Sequence, residues 1–436
     1  MRGQELYQRA KQLIPGGTQL LSKRPELFLP EQWPAYYASA RGVEVTDLDG
    51  RVYVDMSIMG VGACVLGYAD PEVDAAVKAA IDGGVMCTLN APEEVALAEL
   101  LCQLHPWADM VRYARTGGEA MAIAVRIARA HTGRDKVALC GYHGWADWYL
   151  AANLGESDAL DGHLMPGLEP AGVPRSLRGT ALAFHYNRID QLQAIVAAHG
   201  EQLAAIVMEP QRGQAPLPGF LEEVRLIADR IGAVLIFDEI TTGFRMTSGG
   251  IHLLLGVEPD IAVLAKAMSN GYAMAAIIGR ERVMQAAQAT FISSTNWTER
   301  IGPAAALATI HKYRRENVAQ HICDIGQLVT EGWRQAAARA GLPLQTSGLP
   351  SLNHFHIDHP DELALTTLFT QLMLEEGYLA HNQFKPSLAH TRQHVQSYLQ
   401  AVERVFGVLA EAAARGDALQ RLRGPQARRG FYRLTS

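Results

Sequence analysis

Three polar residues of the chain each follow directly on a short run of apolar residues. Glu209, Asp238 and Lys266 come at the ends of runs that have the length and composition of buried strands. In a parallel sheet, these ends meet at the edge where α/β folds bind ligands. A surface salt bridge is the ordinary explanation for any one of them, but three such ends at one edge favour an active site.

Lys266 and Asp238 are the residue types that chemistry on pyridoxal phosphate requires. A lysine that is desolvated in a cleft has a lowered pKa, and its amine forms an imine with an aldehyde. A fixed aspartate keeps the ring nitrogen of the cofactor protonated, as its use as an electron sink requires. We therefore expect Lys266 to carry pyridoxal 5'-phosphate as a Schiff base.

Gly117 and Gly118 have the setting of a phosphate-binding turn. They lie in the sequence Arg-Thr-Gly-Gly-Glu-Ala (residues 115–120), where a strongly helical pattern begins. Backbone N–H groups at the start of a helix bind phosphate, and glycine lets the ligand approach closely. A Gly-Gly pair alone most often marks a turn, so its weight comes from the helix and from the lysine and aspartate.

Aromatic residues follow the apolar run at residues 136–140, in the sequence Gly141-Tyr-His-Gly-Trp145. An aromatic side chain at the end of a strand can stack on a planar ring. Tyr142 and Trp145 are therefore candidates for the site, and a place in the core is the alternative for both. His143, taken alone, is better explained as a structural histidine.

The elements that must position these residues form an alternating pattern, which predicts a mostly parallel sheet with helices on both faces. Helices are expected at 71–82, 92–105 and 118–132, and strands at 136–140, 203–208, 233–237 and 260–264. A helix at 3–13, a strand pair at 42–46 and 51–55, and strand signals at 350–357 and 377–380 lie outside this pattern. They predict a second, smaller domain.

Composition agrees with a soluble enzyme of two or three packed units. The chain has 436 residues, 48% of them hydrophobic, and its net charge of -6 lacks the basic excess of a nucleic-acid-binding protein. Its five cysteines form no C-x-x-C pair, so neither a disulfide framework nor a metal site is expected. Without a long apolar stretch or an apolar leader, we expect a cytoplasmic protein with no membrane contact. The arginine-rich end, 415–436, is expected to be a solvated tail.

The order of the motifs resembles the class III aminotransferases of the aspartate aminotransferase fold, and within them the glutamate-1-semialdehyde aminomutase branch. The motifs are Gly-Gly-Glu-Ala, Tyr-His-Gly, Glu-Pro, Asp-Glu-Ile-x-Thr-Gly-Phe-Arg and Ala-Lys-Ala. The resemblance covers residues 11 to about 410. It implies fold type I, with a seven-stranded, mostly parallel sheet in a large domain of residues 56–310. The smaller α+β domain would comprise residues 311–436, joined by residues 1–55.

The resemblance also implies a role for each matching residue. Lys266 forms the Schiff base and moves the proton, while Asp238 pairs with the ring nitrogen. Thr295 reaches the phosphate of the partner subunit, which implies a homodimer with shared active sites. The other residues implied at the cofactor are Tyr142 and Ile240 on the two ring faces, Gly117 and Gly118 at the phosphate, and Glu209 and His143 nearby.

The chain departs from the aminomutase pattern on the substrate side. Leu20 and Lys23 stand where that pattern has serine and arginine, and lysine does not reproduce the bidentate carboxylate binding of arginine. The segments 295–300 and 269–271 also differ from the family's glycine-rich sequences. We therefore expect transamination from an amine donor, with glutamate the habit of the family, to a carbonyl acceptor of another kind, such as a keto-sugar. The substrate candidates are Lys23, Arg24, Trp145 and Asn296.

Two rival hypotheses stay open. The first is the aminomutase reaction itself, in which Ser22 and Arg24 would replace the missing serine and arginine through a shifted loop. The second is a protein that binds the cofactor and serves as a scaffold without turnover. The presence of both Lys266 and Asp238 counts against the second hypothesis.

Overall fold

A computed structural model describes residues 1–163, 166–211 and 213–430 of the protein. The strands are β1 (Tyr37–Arg41), β2 (Glu44–Asp47), β3 (Val52–Asp55), β4 (Met110–Ala114), β5 (Lys136–Cys140), β6 (Ala181–Ala183), β7 (Leu203–Met208), β8 (Val234–Asp238), β9 (Ile261–Leu264), β10 (Ala275–Gly279), β11 (Leu344–Leu349), β12 (Leu352–Ile357), β13 (Tyr378–Leu379) and β14 (Gln383–Phe384). The helices are α1 (Arg2–Leu13), α2 (Pro71–Asp82), α3 (Pro92–Leu104), α4 (Gly117–Thr132), α5 (Asp147–Leu150), α6 (Ile189–His199), α7 (Phe220–Ile231), α8 (His252–Leu255), α9 (Glu281–Met284), α10 (Ile301–Arg315), α11 (Val318–Ala340), α12 (Glu362–Glu375) and α13 (Arg392–Arg415).

The chain divides into two compact units. The large unit comprises residues 71–316, and the small unit comprises residues 1–70 together with 317–436. The sequence placed the corresponding boundaries at 55/56 and 310/311. Among the described residues, no helix is long and apolar enough to cross a membrane.

The large unit contains a seven-stranded sheet in the order β4-β10-β9-β8-β7-β5-β6. The pairs from β9 to β6 are parallel, whereas β10 runs antiparallel to both β9 and β4. Every residue of β7, β8, β9 and β10 is buried, which explains why these strands read as continuous apolar runs. The predicted mostly parallel α/β sheet is confirmed.

Two apolar layers cover the faces of this sheet, and β8 shows how they are divided. Val234 and Ile236 pack on the face covered by α4, while Leu235 and Phe237 pack on the face covered by α6 and α7. Successive side chains of a strand point to opposite faces. The next two residues, Asp238 and Glu239, therefore continue toward opposite faces of the sheet.

The small unit combines a four-stranded sheet, β1-β2-β3-β13, with a three-stranded sheet, β11-β12-β14. Its core includes aromatic side chains in edge-to-face contact, with Phe355 between Trp333 and Phe369 at centroid distances of 5.0 and 5.2 Å. His390 ties the two sequence segments together, because its Nε2 contacts the Asp55 carbonyl oxygen at 2.9 Å.

The arginine-rich end does not form the solvated tail that the sequence predicted, as far as it is described. Arg423 pairs with Glu375 at 3.1 Å, and Arg429 pairs with the carboxylate of Glu362. Residues 431–436 lie outside the described residues. Arg423 and Arg429 thus connect this segment with α12, while Arg415 and Arg421 pair with Glu411.

Candidate active site

Asp238 and His143 form a buried pair at the carboxyl edge of the large sheet. Asp238 is the last residue of β8, and His143 follows β5 in a short turn. His143 Nδ1 lies 2.8 Å from Asp238 Oδ2, and the other carboxylate oxygen accepts from the backbone N–H of Ile240 at 3.0 Å. The exposed fractions are 1% for His143 and 4% for Asp238, so the pair is shielded from bulk water.

The second ring nitrogen of His143 is also engaged. Nε2 lies 3.1 Å from the carbonyl oxygen of Cys140, which only accepts hydrogen bonds. Both ring nitrogens of His143 are therefore held by protein groups. The sequence favoured a structural role for His143. Its contact with Asp238 fits that role and also brings His143 to the candidate site.

Lys266 follows β9, the strand that neighbours β8. In the pairing of these two strands, Asp238 lies opposite Val263. Its φ of 47° lies in the left-handed region, which is uncommon for a residue other than glycine. Its Nζ donates a hydrogen bond to Thr241 Oγ1 at 2.9 Å. Sequence reasoning missed Thr241, although it lies only three residues after Asp238.

The two glycines at the start of α4 lie close to neighbouring side chains. A Cβ on Gly117 would lie 2.8 Å from Ile240 Cδ1, and a Cβ on Gly118 would lie 3.3 Å from the indole of Trp145. The Glu119 carboxylate accepts from the backbone N–H of Arg115 at 3.0 Å. The helix start is therefore fixed, with the backbone amides of its first turn not used by the helix itself.

The turn that carries Tyr142 is held by side chains from three other segments. The N–H of Gly141 donates to His163 Nδ1 at 3.0 Å, and its carbonyl accepts from the hydroxyl of Tyr149 at 3.1 Å. The N–H of Tyr142 donates to Glu209 Oε2 at 3.3 Å. Glu209 is thus a partner of the Tyr142 backbone, and His163 and Tyr149 are further residues that the sequence did not reveal.

The segment that contains Thr295 is anchored by an ion pair. Arg115 Nε lies 2.9 Å from Glu299 Oε1, and the same guanidinium donates to the carbonyl oxygens of Trp297 and Glu299 at 2.9 and 2.7 Å. Burial lowers the pKa of Arg115, and the charge of Glu299 opposes this shift. Thr295 and Asn296 themselves are exposed.

The remaining substrate candidates differ in their surroundings. Trp145 is 73% exposed, so the alternative of a place in the core is wrong for it. Within the small unit, Lys23 is exposed, and the guanidinium of Arg24 lies against Gly16, where a Cβ would come within 2.7 Å of its Nη2.

A second acid–histidine pair lies beside the first, on the opposite face of the sheet. Glu239 Oε1 lies 2.7 Å from His252 Nδ1, and the Thr242 hydroxyl donates to the other carboxylate oxygen. His252 Nε2 accepts from the indole N–H of Trp107 at 2.9 Å. Because Nε2 accepts from the indole, Nδ1 is the nitrogen that donates to Glu239.

The described residues show no metal site at this edge of the sheet. Among the described residues, no group of three or more histidine, cysteine or carboxylate side chains is placed to hold a metal ion, and all five cysteines are free thiols. The groups that converge are an amine, a carboxylate with its histidine, and the unused amides of a helix start.

Comparison with known proteins gives the family. The model of the aminotransferase class-III family matches residues 30–405. The chain belongs to the class-III aminotransferases. It is 32% identical over 426 residues to the 3-aminobutyryl-CoA aminotransferase of Cloacimonas acidaminovorans (strain Evry), covering 93% of this chain and 98% of that protein. It is 33% identical over 440 residues to the glutamate-1-semialdehyde 2,1-aminomutase of Heliobacterium modesticaldum (strain ATCC 51547 / Ice1), covering 95% and 98%.

Solved structures agree with this family and with fold type I. The internal aldimine form of the Sphingopyxis sp. MTA144 FumI protein, which contains pyridoxal phosphate, is 27% identical, covers 95% of this chain and 97% of that one, and has a TM-score of 0.85. The class-III aminotransferase described here is accordingly an enzyme that uses pyridoxal phosphate, as the sequence predicted.

The geometry of this chain fits that cofactor. Ile240 lies beside Gly117 at the start of α4, so an apolar side chain adjoins the amides available to a phosphate. Asp238 continues β8 on the same face of the sheet, and Lys266 follows the adjacent strand. One edge therefore carries an amine, a carboxylate and the amides of a helix start, which are the kinds of group that this cofactor needs.

Proposed function

We propose that this enzyme transfers an amino group from an amine donor, with glutamate the first to test, to a carbonyl acceptor other than glutamate-1-semialdehyde. The observation that carries the proposal is a contrast within the chain. The residues of the cofactor edge agree with the family, whereas Leu20 and Lys23 replace the serine and arginine of the aminomutase pattern. A carboxylate substrate would lose its bidentate partner at Lys23.

When bound, pyridoxal phosphate supplies an aldehyde carbon and an electron sink. Lys266 Nζ is the amine that engages the aldehyde, and after its displacement by the donor it moves a proton at the substrate's Cα. Asp238, with His143 behind it, places negative charge at the ring nitrogen. Thr241 orients the Lys266 amine, as their hydrogen bond of 2.9 Å supports.

The remaining roles follow from position at the same edge. Tyr142 and Ile240 are assigned to the two faces of the ring, and the amides of Gly117 and Gly118 to the phosphate. Glu209 acts by holding the Tyr142 backbone. Lys23, Arg24, Trp145 and Asn296 stay candidates for substrate contacts.

A homodimer with shared active sites is part of this proposal. The large unit exposes apolar side chains, with exposed fractions of 84% for Phe291, 79% for Leu89 and 73% for Trp145. The backbone N–H of Arg300 donates to the Val85 carbonyl at 3.1 Å, which connects the segment of Phe291 and Thr295 with that of Leu89. Exposed apolar groups of this size mark interaction surfaces, and a second copy would cover them.

The central test is a spectroscopic screen of amine donors and carbonyl acceptors with the purified protein. We expect an absorption band of the Lys266-bound cofactor that amine donors bleach, and that is absent in Lys266→Ala. Keto-sugars and semialdehydes are compared as acceptors. A band that no amine bleaches would support the scaffold hypothesis, and turnover of glutamate-1-semialdehyde without a second substrate would support the aminomutase.

Shared sites are tested by mixing two impaired variants, Lys266→Ala and Thr295→Ala. A mixed dimer holds one site in which both residues are native, so mixing after mild dissociation is expected to restore part of the activity. Mixing Lys266→Ala with Asp238→Asn provides the control, because these residues are proposed to act within one subunit only and each mixed site stays impaired. Equal recovery in both mixtures would contradict the proposed contribution of Thr295 across the interface.

A further inference from the structure

The irregular stretch between α5 and β6 sends one side chain back to the candidate active site. His163 Nδ1 accepts a hydrogen bond of 3.0 Å from the N–H of Gly141, which lies 22 residues earlier in the chain. On the other side of the same residue, the Gly141 carbonyl accepts from the hydroxyl of Tyr149 at 3.1 Å. Both backbone polar groups of Gly141 are therefore bound by side chains.

The backbone at Gly141 has little freedom to rearrange. Its φ of 117° is one that residues with a side chain rarely adopt, and a Cβ there would lie 2.7 Å from Glu209 Oε2. The next residue is Tyr142, whose own N–H donates to Glu209 at 3.3 Å. The direction of the Tyr142 side chain is thus set by hydrogen bonds to this short turn.

His163 is well suited to accept this hydrogen bond. Its ring stacks on His185 at a centroid distance of 5.3 Å and an interplanar angle of 20°. Burial lowers the pKa of His163 to about 4, and the nearby rings of His185 and His143 shift it in the same direction. At neutral pH the ring is therefore uncharged, and an uncharged ring that accepts at Nδ1 carries its proton on Nε2.

The segment around His163 is itself anchored. The N–H of Leu160 donates to Asn153 Oδ1 at 2.9 Å, and Asn153 Nδ2 donates to the Leu168 carbonyl at 2.5 Å. Leu160 is fully buried in the apolar layer that also contains α4. His163 therefore starts from a fixed backbone, as a side chain that positions another residue must.

We propose that His163 is a positioning residue, which fixes the Gly141–Tyr142 turn through Nδ1 and so holds the Tyr142 ring against the bound cofactor. This inference rests on the role proposed above for Tyr142. His163 itself touches neither substrate nor cofactor in this proposal. The effect on cofactor binding is transmitted by one hydrogen bond to the Gly141 backbone.

Two substitutions separate the hydrogen bond from the bulk of the ring. His163→Phe keeps an aromatic ring to stack on His185 but has no acceptor, whereas His163→Asn keeps an acceptor near the position of Nδ1. The dissociation constant of pyridoxal phosphate is measured by absorbance titration, with the circular dichroism band of the bound cofactor as a spectroscopic signature. We expect His163→Phe to raise that constant about 5- to 10-fold and to weaken the band, and His163→Asn to stay within about twofold of the native protein.

Tyr149→Phe serves as a second variant should His163→Phe fail to fold, because it removes the other side chain that binds Gly141. We expect it to weaken the dichroism band in the same direction. Native cofactor affinity and band in His163→Phe would overturn the inference, and so would equal losses in His163→Phe and His163→Asn. A native protein without any cofactor band would instead overturn the proposed function.

Discussion

Asp238 and Glu239 are neighbours in sequence, and each pairs with a buried histidine at nearly the same distance, 2.8 and 2.7 Å. Their histidines differ in the second partner. His143 faces a carbonyl oxygen through Nε2, whereas His252 accepts from Trp107 through Nε2. An acid paired with a histidine thus occurs on both faces of the sheet, and the second partner of the histidine differs.

The comparison teaches that an acid–histidine pair is not by itself a catalytic signature. Glu239 is fully buried, and hydrogen bonds from His252 and Thr242 outweigh the burial that would raise its pKa, so the pKa of Glu239 is lowered. The Glu239 carboxylate accepts from the backbone N–H and Nδ1 of His252 and from the hydroxyl of Thr242, so both of its oxygens are engaged by protein groups. Asp238 continues the face of β8 that α4 covers, where the glycines of the helix start also lie.

The largest expected difference between the two acids is in catalysis. Asp238→Asn keeps the shape and removes the charge at the ring nitrogen, so kcat/KM is expected to fall on the order of 10³-fold. Glu239→Gln is expected to leave kcat/KM within a few-fold while destabilising the fold by about 1–3 kcal/mol. Steady-state kinetics and urea unfolding of both variants check this. A similar kinetic loss in the two would remove the distinction between the pairs.

Removing the histidine of the structural pair should cost mainly stability. His252→Ala removes the side-chain donor of the buried Glu239 carboxylate, and we expect a loss of about 2–3 kcal/mol in the free energy of unfolding. Trp107→Phe removes only the indole N–H that donates to His252. We expect it to lower the free energy of unfolding by about 1–2 kcal/mol. The absorption band of bound cofactor in the folded fraction should stay native. A shifted band in His252→Ala would show that this side of β8 also acts on the cofactor.

Part of the pH dependence of stability should come from His105, which lies beside the Glu239–His252 pair. His105 stacks on His252 at 5.6 Å, its Nε2 accepts from the Gly250 N–H at 3.0 Å, and burial lowers its pKa to about 4. In the unfolded chain His105 is protonated as the pH falls below about 6.5, whereas in the folded protein it is protonated only near pH 4. Stability is therefore lost as the pH falls from about 6.5 to about 4. The loss from this one residue is up to about 3 kcal/mol at pH 4.

This loss is measured as the free energy of urea unfolding at several pH values. His105→Phe, although less stable at every pH, should show a shallower decline between pH 6.5 and pH 4.5. An unchanged slope in the variant would assign the acid sensitivity to other groups, such as the buried His381 and His390 of the small unit, whose pKa values are also lowered to about 4.

The smallest expected effects come from two adjacent threonines that serve the two faces. Thr241 accepts from Lys266 at 2.9 Å, and Thr242 donates to Glu239. Thr241→Val is expected to lower kcat about tenfold with little change in stability, while Thr242→Val is expected to lose about 1–2 kcal/mol of stability with near-native kcat. Thr241→Ser should restore the rate. The reverse pattern of losses would contradict the assignment of the two faces.

Much of the fold was predictable because the buried strands are apolar along their whole length. Helix α2 and strand β5 have the predicted bounds, and β7 agrees with its prediction as well. Strands β4 and β10 escaped prediction, because β4 is half-buried and mixed in character and β10 has only two large apolar residues, Ile277 and Ile278, between two alanines and Gly279. A pattern of apolar residues alone does not distinguish such strands from loops.

The site was predicted only in part, for a related reason. The chemistry of Lys266, Asp238 and the glycine pair is local, so residue type and the neighbouring run indicated it. The partners of these residues are not local. His143 and Asp238 are 95 residues apart, and His163 and Gly141 are 22 apart across an irregular stretch without periodicity.

The sequence by itself therefore determined the cofactor chemistry, the family and the layered α/β architecture, because each depends on residue type and local spacing. Only the tertiary structure decided that Asp238 and Glu239 serve opposite faces, that Thr241 holds Lys266, and that His163 braces the turn of Tyr142. The physical reason is that hydrogen bonds across a sheet depend on strand order and on the direction of each side chain. Strand order and side-chain direction are set when the connections between strands pack on the sheet, and no single segment of the sequence determines either of them.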